Sequence, residues 1–377
     1  MAWMITYEKL KDEQRDFVDT EIEKKGNVWL KGFAGSGKSV LLIHGIRAKL
    51  KNNPNANICI VVYTYSLIDM FKTGMAELKM PSIPIMTYYQ FKKGNQNYDY
   101  IFCDEVQDLP VDVLAEMKQR SKYLYVAGDS NQSIYQNTVT PSEIGNIIEG
   151  RPFELTRIYR LTRSIMNAVS NLLPNMNIFG ARRDMTKIDV GVRLVKASDE
   201  NEEVKYIWEQ GSEATSEGYT AVVLLPTHDE ILNFTDKLLE NNGKKEWILQ
   251  KNNWGKPNYN SLNNHFRKEG LKVEYIGNGN GSFQNAERKN NLIIMTYHSA
   301  KGMDFDNVFL PFLSEGLYIS RDDEKTLFMV ALTRSKKNLY ITYSGYLHHL
   351  VETFETTCQR IDLNASNNNN ADIDFDF

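Results

Sequence analysis

The stretch NVWLKGFAGSGKSVLLIHGI, residues 27–46, decides the fold. Its first half is a short apolar run bounded by Gly32, which reads as a buried strand. Its second half, from Lys38 on, has the composition of a helix. Between them GFAGSGKS at 32–39 fits G-x-x-x-x-G-K-S. A glycine-rich turn that follows a strand and opens a helix aims its backbone N–H groups and the helix dipole at one point, which favours phosphate oxygens. Gly32, Phe33, Ala34, Gly35, Ser36, Gly37, Lys38 and Ser39 are therefore expected to hold a nucleotide triphosphate tail. Lys38 would reach the β- and γ-phosphates, and the Ser39 hydroxyl would ligate Mg²⁺.

The same texture continues outward. Apolar runs NICIVVY at 57–63, YIFC at 100–103 and YLYVAG at 123–128 alternate with helical stretches at 38–51, 66–79 and 110–120. Strand and helix in alternation give βαβ units and a parallel sheet, with ligands at the carboxyl ends of the strands. A second alternating block follows, with strands near 192–197, 220–226, 271–277, 291–297, 306–312 and 338–344 and helices at 229–242 and 324–335. The expected fold is α/β, with a first domain over 1–150, a second over 151–350 and a helix end plus acidic tail over 351–377. The boundary is placed at Gly150–Pro152. Residues 243–290, rich in Asn, Gly and Lys, read as one helix flanked by loops, and NASNNNNADIDFDF as a disordered tail.

IFCDEVQD at 101–108 is an apolar run ending in two carboxylates. A buried strand would deliver Asp104 and Glu105 to the edge that carries the phosphate loop. Mg²⁺ takes oxygen ligands and keeps several waters, so Asp104 suits the metal. Glu105 is then in place to take a proton from an attacking water.

Bulk properties exclude several classes. The 377 residues are 42% hydrophobic and 24% charged, with net charge −4. Two soluble domains fit this length. The charge gives no global attraction to nucleic acid, so such binding requires a local groove. No apolar run is long enough to span a membrane, and the charged start MAWMITYEKLKDEQRD lacks a signal-peptide core. Cys59, Cys103 and Cys358 lie far apart, without metal or disulfide spacing, which fits a reducing cytoplasm.

The ordered motifs over residues 6–344 resemble those of superfamily 1 DNA helicases of the UvrD/Rep group. LKDEQ at 10–14 resembles the adenine-reading motif, GFAGSGKS the phosphate loop and DEVQD the D-E-x-Q-D segment. VAGDSNQSIY at 126–135, LTRIYRLTRSI at 155–165, MTYHSAKGMDFDNVFLP at 295–311 and MVALTRSKKNLYITYS at 329–344 resemble the remaining motifs in the family's order. The resemblance implies two RecA-like domains, a P-loop NTPase with ATP and Mg²⁺ as cofactors. It gives Gln14 the adenine amide contact, Gln132 a γ-phosphate sensor, Tyr159 a stack on adenine, Arg160 a reach to the γ-phosphate and Arg334 the arginine finger. Gly302 and Asp304 join the nucleotide site, with Asp304 near a ribose hydroxyl. Lys38 is assigned to the first domain and Arg160 and Arg334 to the second, so closure of the two would complete the site.

The resemblance also implies a single-strand path along Thr64, Tyr65, Thr87, Tyr88, Tyr135, Thr296 and His298. Stacking on such aromatics is worth roughly 1–3 kcal/mol per base. The expected partner is single-stranded DNA, with RNA open because nothing reads a 2′-hydroxyl. Three departures matter. Asn137 stands where the family has an aromatic, usually Trp. Asp304 replaces the usual Glu. Only a short stretch separates MTYYQF from IFCDE, and only 243–290 precedes MTYHS, which leaves no room for large accessory subdomains. The primary expectation is ATP hydrolysis coupled to movement on a strand, in DNA repair, with 3′-to-5′ polarity implied only by the motifs. The alternative is an ATP-driven regulatory switch that partners a nuclease or other effector in repair or anti-phage defence. A protein partner supplying duplex separation is compatible with either.

Overall fold

The computed structural model describes residues 4–129, 138–159, 161–176, 182–183, 189, 191–251, 255, 257–321 and 323–366. They divide into two compact units: the first runs through residue 160 and is joined by segment 178–186, and the second takes 161–177 and 187 onward.

The first unit is built on β1 (Val28–Gly32), β2 (Ile58–Val62), β3 (Ile85–Thr87), β4 (Tyr98–Cys103), β5 (Ser121–Gly128) and β6 (Arg151–Leu155), in the order β3-β2-β4-β5-β1-β6. Every pairing is parallel. The apolar runs form strands because both faces are covered: all five residues of β2 are buried, as parallel sheets require. The helices include α1 (Asp12–Asp16), α2 (Lys38–Asn52), α3 (Tyr65–Glu77), α4 (Tyr88–Lys93), α5 (Val111–Gln119) and α6 (Pro141–Ile148). One core joins Cys59, Val61, Ile101 and Val126 on the sheet to Phe91, Leu114 and Ile148 on the helices.

The turn at Gly150–Pro152, where the sequence places the domain boundary, instead leads into β6. This strand pairs with β1 from Val28↔Arg151 to Gly32↔Leu155. Pro152 is tolerated there because β6 is the edge of the sheet. A two-residue ribbon, β7 (Arg157–Ile158) with β8 (Arg182–Arg183), completes the unit. Tyr159, assigned from the sequence to the second domain, therefore lies in the first.

The second unit carries β9 (Val192–Ala197), β10 (Ala221–Leu225), β11 (Val273–Tyr275), β12 (Leu292–Thr296), β13 (Phe305–Leu310), β14 (Ser335–Ser344) and β15 (Gln359–Asp362), ordered β11-β12-β10-β13-β14-β9-β15 and all parallel. Around them lie α7 (Arg163–Leu172), α8 (Glu200–Ser216), α9 (His228–Asn241), α10 (Tyr259–Glu269), α11 (Phe283–Lys289) and α12 (Glu324–Leu332). Among its described residues, segment 243–290 thus holds two helices, on either side of the strand expected near 271–277, rather than one helix. Asn258 and Ser282 cap the two helices by accepting from Ser261 and Asn285, the role these side chains favour. Part of the expected tail region, Gln359–Asp362, is an edge strand on β9. Both units have the α/β, RecA-like architecture expected from the sequence. No helix among the described residues is long and apolar enough to cross a membrane.

Candidate active site

Parallel strands put the first unit's polar chemistry on one edge. β1 ends in the phosphate loop, β4 in Asp104 and Glu105, and β5, between them in the sheet, in Gly128 and Asp129. The loop is closed by Ser36 N donating to the Phe33 carbonyl at 3.2 Å. Gly37 is the residue before α2, at φ 92°, a left-handed conformation that L side chains rarely adopt. A Cβ there would also stand 2.6 Å from Gln14 Nε2 and displace that amide from the loop. The first N–H groups of α2 have no partner within the helix and face the loop's concavity. Lys38 is buried and its Nζ lies over the loop, donating to the carbonyls of Gly32 at 2.8 Å and Phe33 at 3.3 Å. Ser36 Oγ is fully buried and has no hydrogen-bond partner among the described residues. An anion seated in the loop would answer both the ammonium and this hydroxyl.

Ser39 Oγ donates to Asp104 Oδ2 at 2.5 Å. Asp104 is fully buried, and burial, followed by the neighbouring Glu105 charge, pushes its carboxyl up to about 6, against the Ser39 hydrogen bond and the Lys38 charge. A hydroxyl and a desolvated carboxylate side by side, next to a phosphate cradle, suit Mg²⁺, which needs only one or two protein oxygens when phosphates and water complete its octahedron.

Glu105 sits at φ 53° with its N–H donating to Asp104 Oδ1 at 3.0 Å. A non-glycine residue in this region is uncommon and costs energy that the surroundings must supply. Gln107, which the sequence reading did not single out, supplies part of it. Its Nε2 donates to Glu105 Oε2 at 2.5 Å, and its Oε1 accepts from Asp129 N at 3.1 Å. It bridges the carboxylate to the end of β5.

On the other flank, Gln14 Oε1 accepts from Lys11 N at 3.1 Å and its Nε2 donates to the Ser36 carbonyl at 3.2 Å. Tyr159 is held beside the same loop, its N–H donating to the Gly35 carbonyl at 2.9 Å. Its hydroxyl donates to Glu13 Oε1 at 2.9 Å. Gln14, Tyr159 and the phosphate loop are thus assembled within one unit, as a base pocket beside a phosphate cradle requires. Glu13 was also missed: it stands inside LKDEQ, where the sequence gives a role to Gln14 alone.

In the second unit, Arg334 is 1% exposed. Its Nε donates to the Val330 carbonyl at 2.7 Å, Nη1 to the Met303 carbonyl at 3.0 Å and Nη2 to Thr333 Oγ1 at 2.8 Å. The bond to Met303 ties Arg334 to the turn that carries Gly302 and Asp304, so these three expected nucleotide residues are neighbours. Thr296 closes β12 and its Oγ1 accepts from Ser299 N at 3.1 Å. His298 follows, and burial, then the Lys301 and His228 charges, hold its imidazole below the usual value.

Along the expected strand path, Thr64 caps α3 by accepting from Leu67 N at 3.3 Å, and Tyr65 begins that helix 48% exposed. Thr87 forms a reciprocal cap with Gln90 at the start of α4. That cap turns Tyr88 into the core, 5% exposed and 5.1 Å from the Tyr63 ring, so it offers no open face. The exposed ring at this turn is Tyr89, at 64%. Gln132, Tyr135, Asn137 and Arg160, and the tail 367–377, lie outside the described residues.

A family model for the viral superfamily 1 RNA helicase core domain matches residues 28–216, half of the chain. A second, for the UvrD-like helicase C-terminal domain, matches residues 273–346. Among curated proteins, a probable DNA helicase II homolog of Rickettsia conorii is 42% identical over 62 residues, 14% of this chain and 10% of that protein. A putative ATP-dependent DNA helicase of Acanthamoeba polyphaga mimivirus is 23% identical over 288 residues, 70% of this chain and 38% of that protein. The chain therefore spans well under half the length of these relatives. Among solved structures, the PRRSV helicase aligns with TM-score 0.46 and 13% identity, over 87% of this chain and 54% of that one. An arterivirus nonstructural protein 10 helicase in complex with DNA aligns with TM-score 0.42 and 14% identity, over 87% of this chain and 63% of that one. With its half-length match to the superfamily model and its UvrD-like C-terminal match, the chain belongs to the superfamily 1 helicases.

Proposed function

We propose that this chain hydrolyses ATP and uses the cycle to move along single-stranded DNA. The observation that carries the reading is the 2.5 Å contact of Ser39 Oγ with the buried Asp104 carboxylate, with Lys38 folded over the adjacent loop. Phosphoryl transfer to water asks a protein for little covalent chemistry and much positioning. The backbone of Gly32–Ser39 and the Lys38 ammonium hold the phosphate tail. Ser39 and Asp104 would hold Mg²⁺, which when bound would neutralise charge on the phosphate tail. Glu105, oriented by Gln107, accepts the proton of the attacking water. Arg160 and Arg334 are the proposed sources of further positive charge on the γ-phosphate, an effect worth roughly 10³–10⁵ in rate where such an arginine acts. Arg334 is held by its bonds to Val330, Met303 and Thr333, which use three of the five guanidinium N–H donors.

The strand is proposed to cross the edge marked by Thr64, Tyr65 and Thr87 in the first unit and Thr296 and His298 in the second. Gln132 is proposed to sense the γ-phosphate and Tyr135 to stack on a base. The test is ATP-driven displacement of streptavidin from the end of a biotinylated single strand. Displacement by the wild type and none by Lys38→Ala supports the motor. Hydrolysis without displacement on DNA, with displacement on RNA, would move the substrate to RNA, and displacement on neither would sink the motor reading.

A further inference from the structure

We propose that Glu13 is the positioning residue of the base subsite, holding Tyr159 in the orientation that stacks on the nucleobase of the bound nucleoside triphosphate. The inference rests on the nucleotide reading above and adds a residue and a geometry to it.

Both carboxylate oxygens of Glu13 are filled. Oε2 accepts from Thr156 N at 3.1 Å and Thr156 Oγ1 at 2.9 Å. Oε1 accepts from Arg157 N at 3.2 Å and from the Tyr159 hydroxyl at 2.9 Å. One side chain on α1 therefore gathers four donors from a segment 143 or more residues away in sequence. Hydrogen bonds to an ionised acceptor are about twice as strong as neutral ones, so the four together act as a clamp on residues 156–159. Tyr159 is thus held at two points. Its backbone N–H is on the Gly35 carbonyl at 2.9 Å, inside the phosphate loop, and its phenol is on Glu13. A tyrosine ring pinned at both ends has lost the rotamer freedom that a free aromatic would give up on stacking.

The neighbouring residue completes the geometry. Gln14, on the same helical turn, has its amide on the Ser36 carbonyl and against Gly37. The amide that reads the base edge and the ring that covers its face are thus set by consecutive residues, Glu13 and Gln14, on one turn of α1. The clamp therefore joins the base platform to the phosphate loop within the first unit.

The test compares ATP with inorganic triphosphate, which has the same phosphate tail and no base. Glu13→Ala is expected to weaken ATP binding and raise KM for ATP about tenfold, the size of one lost charge-assisted hydrogen bond. It should leave kcat at saturating ATP and the affinity for inorganic triphosphate unchanged. Tyr159→Phe keeps the ring and loses only the phenol anchor, so it should shift KM in the same direction by a smaller factor. Equal loss of ATP and triphosphate binding in Glu13→Ala would assign the residue to the phosphate loop's integrity and overturn the proposal, as would no change for either ligand. The nucleotide reading fails separately: Lys38→Ala that still binds both ligands as the wild type does would remove the site itself.

Discussion

Gly128→Ala tests the bridge between Glu105, the proposed catalytic carboxylate, and the end of β5. The backbone at Gly128 is not left-handed, so alanine meets no conformational penalty there and would by itself stabilise by about 0.4–1 kcal/mol. The space forbids it. The added Cβ would stand 2.3 Å from Gln107 Oε1 and 2.8 Å from Val106 Cγ1. Gln107 is 1% exposed, so its amide cannot swing into solvent. Moving it breaks the bond to Glu105 at 2.5 Å and the bond from Asp129 N at 3.1 Å. Overpacking costs about 1–3 kcal/mol, and each buried group left without a partner about 1–3 more. The net expectation is a loss of about 2–5 kcal/mol in the first unit. It should come with a fall of about 10²–10⁴ in kcat as Glu105 loses its orientation. ATP affinity should hold, because the phosphate loop is untouched. The assay is steady-state ATPase with thermal denaturation, read on Gly128→Ala, Gln107→Ala and the double variant. If the amide is the point of collision, the double variant is no worse in kcat than Gln107→Ala alone. Fully additive losses would refute the reasoning.

Lys38→Ala should abolish hydrolysis, and Glu105→Gln should bind ATP near wild-type affinity while turning over at least about 10²-fold more slowly; equilibrium binding and single-turnover ATPase measure both. At the strand edge, Tyr89→Ala should weaken single-stranded DNA binding by about 1–3 kcal/mol of stacking, with a smaller drop in the thermal melt than Tyr88→Ala, because Tyr89 packs one face on Tyr88 at 4.0 Å and is otherwise exposed. Glu203, fully buried under β14, accepts from Phe312 N at 2.8 Å and Thr342 Oγ1 at 2.5 Å, yet burial raises its carboxyl above the ordinary 4.5. A raised folded-state value means its contribution is present below the unfolded value and is lost as pH rises. The melting temperature of Glu203→Gln relative to wild type should therefore climb as pH rises from about 4.5 toward neutrality, and a difference that is flat with pH would contradict the assignment.

How much of this could be read in advance depends on how local the cause is. The phosphate loop was legible because strand, glycines, lysine and helix are contiguous. Asp104 and Glu105 were legible because a buried strand must end where they stand. The second sheet's main strands, such as Ala221–Leu225 and Leu292–Thr296, announced themselves as runs dominated by apolar residues, and both are buried throughout. The edge strands did not. Arg151–Leu155 contains a proline, and Gln359–Asp362 is mostly exposed and lies in a polar terminus. α8 carries seven buried positions among many acids, and its periodicity was hidden by them. Gln107 and Glu13 stand inside the motifs DEVQD and LKDEQ, but their roles could not be read because their partners are far away in sequence: Asp129 for the one, Thr156 to Tyr159 for the other. Tyr88 and Tyr89 differ only by which side of a capped first turn they occupy, and the cap at Thr87 decides it.

Hydrolysis at this loop is proposed to be coupled to a nucleic-acid strand. The steady-state ATPase rate with and without single-stranded DNA, for wild type and Lys38→Ala in parallel, decides whether it is. Strong stimulation by the strand and loss of all activity in the variant are expected. Hydrolysis that is lost in the variant but indifferent to the strand would contradict the coupling.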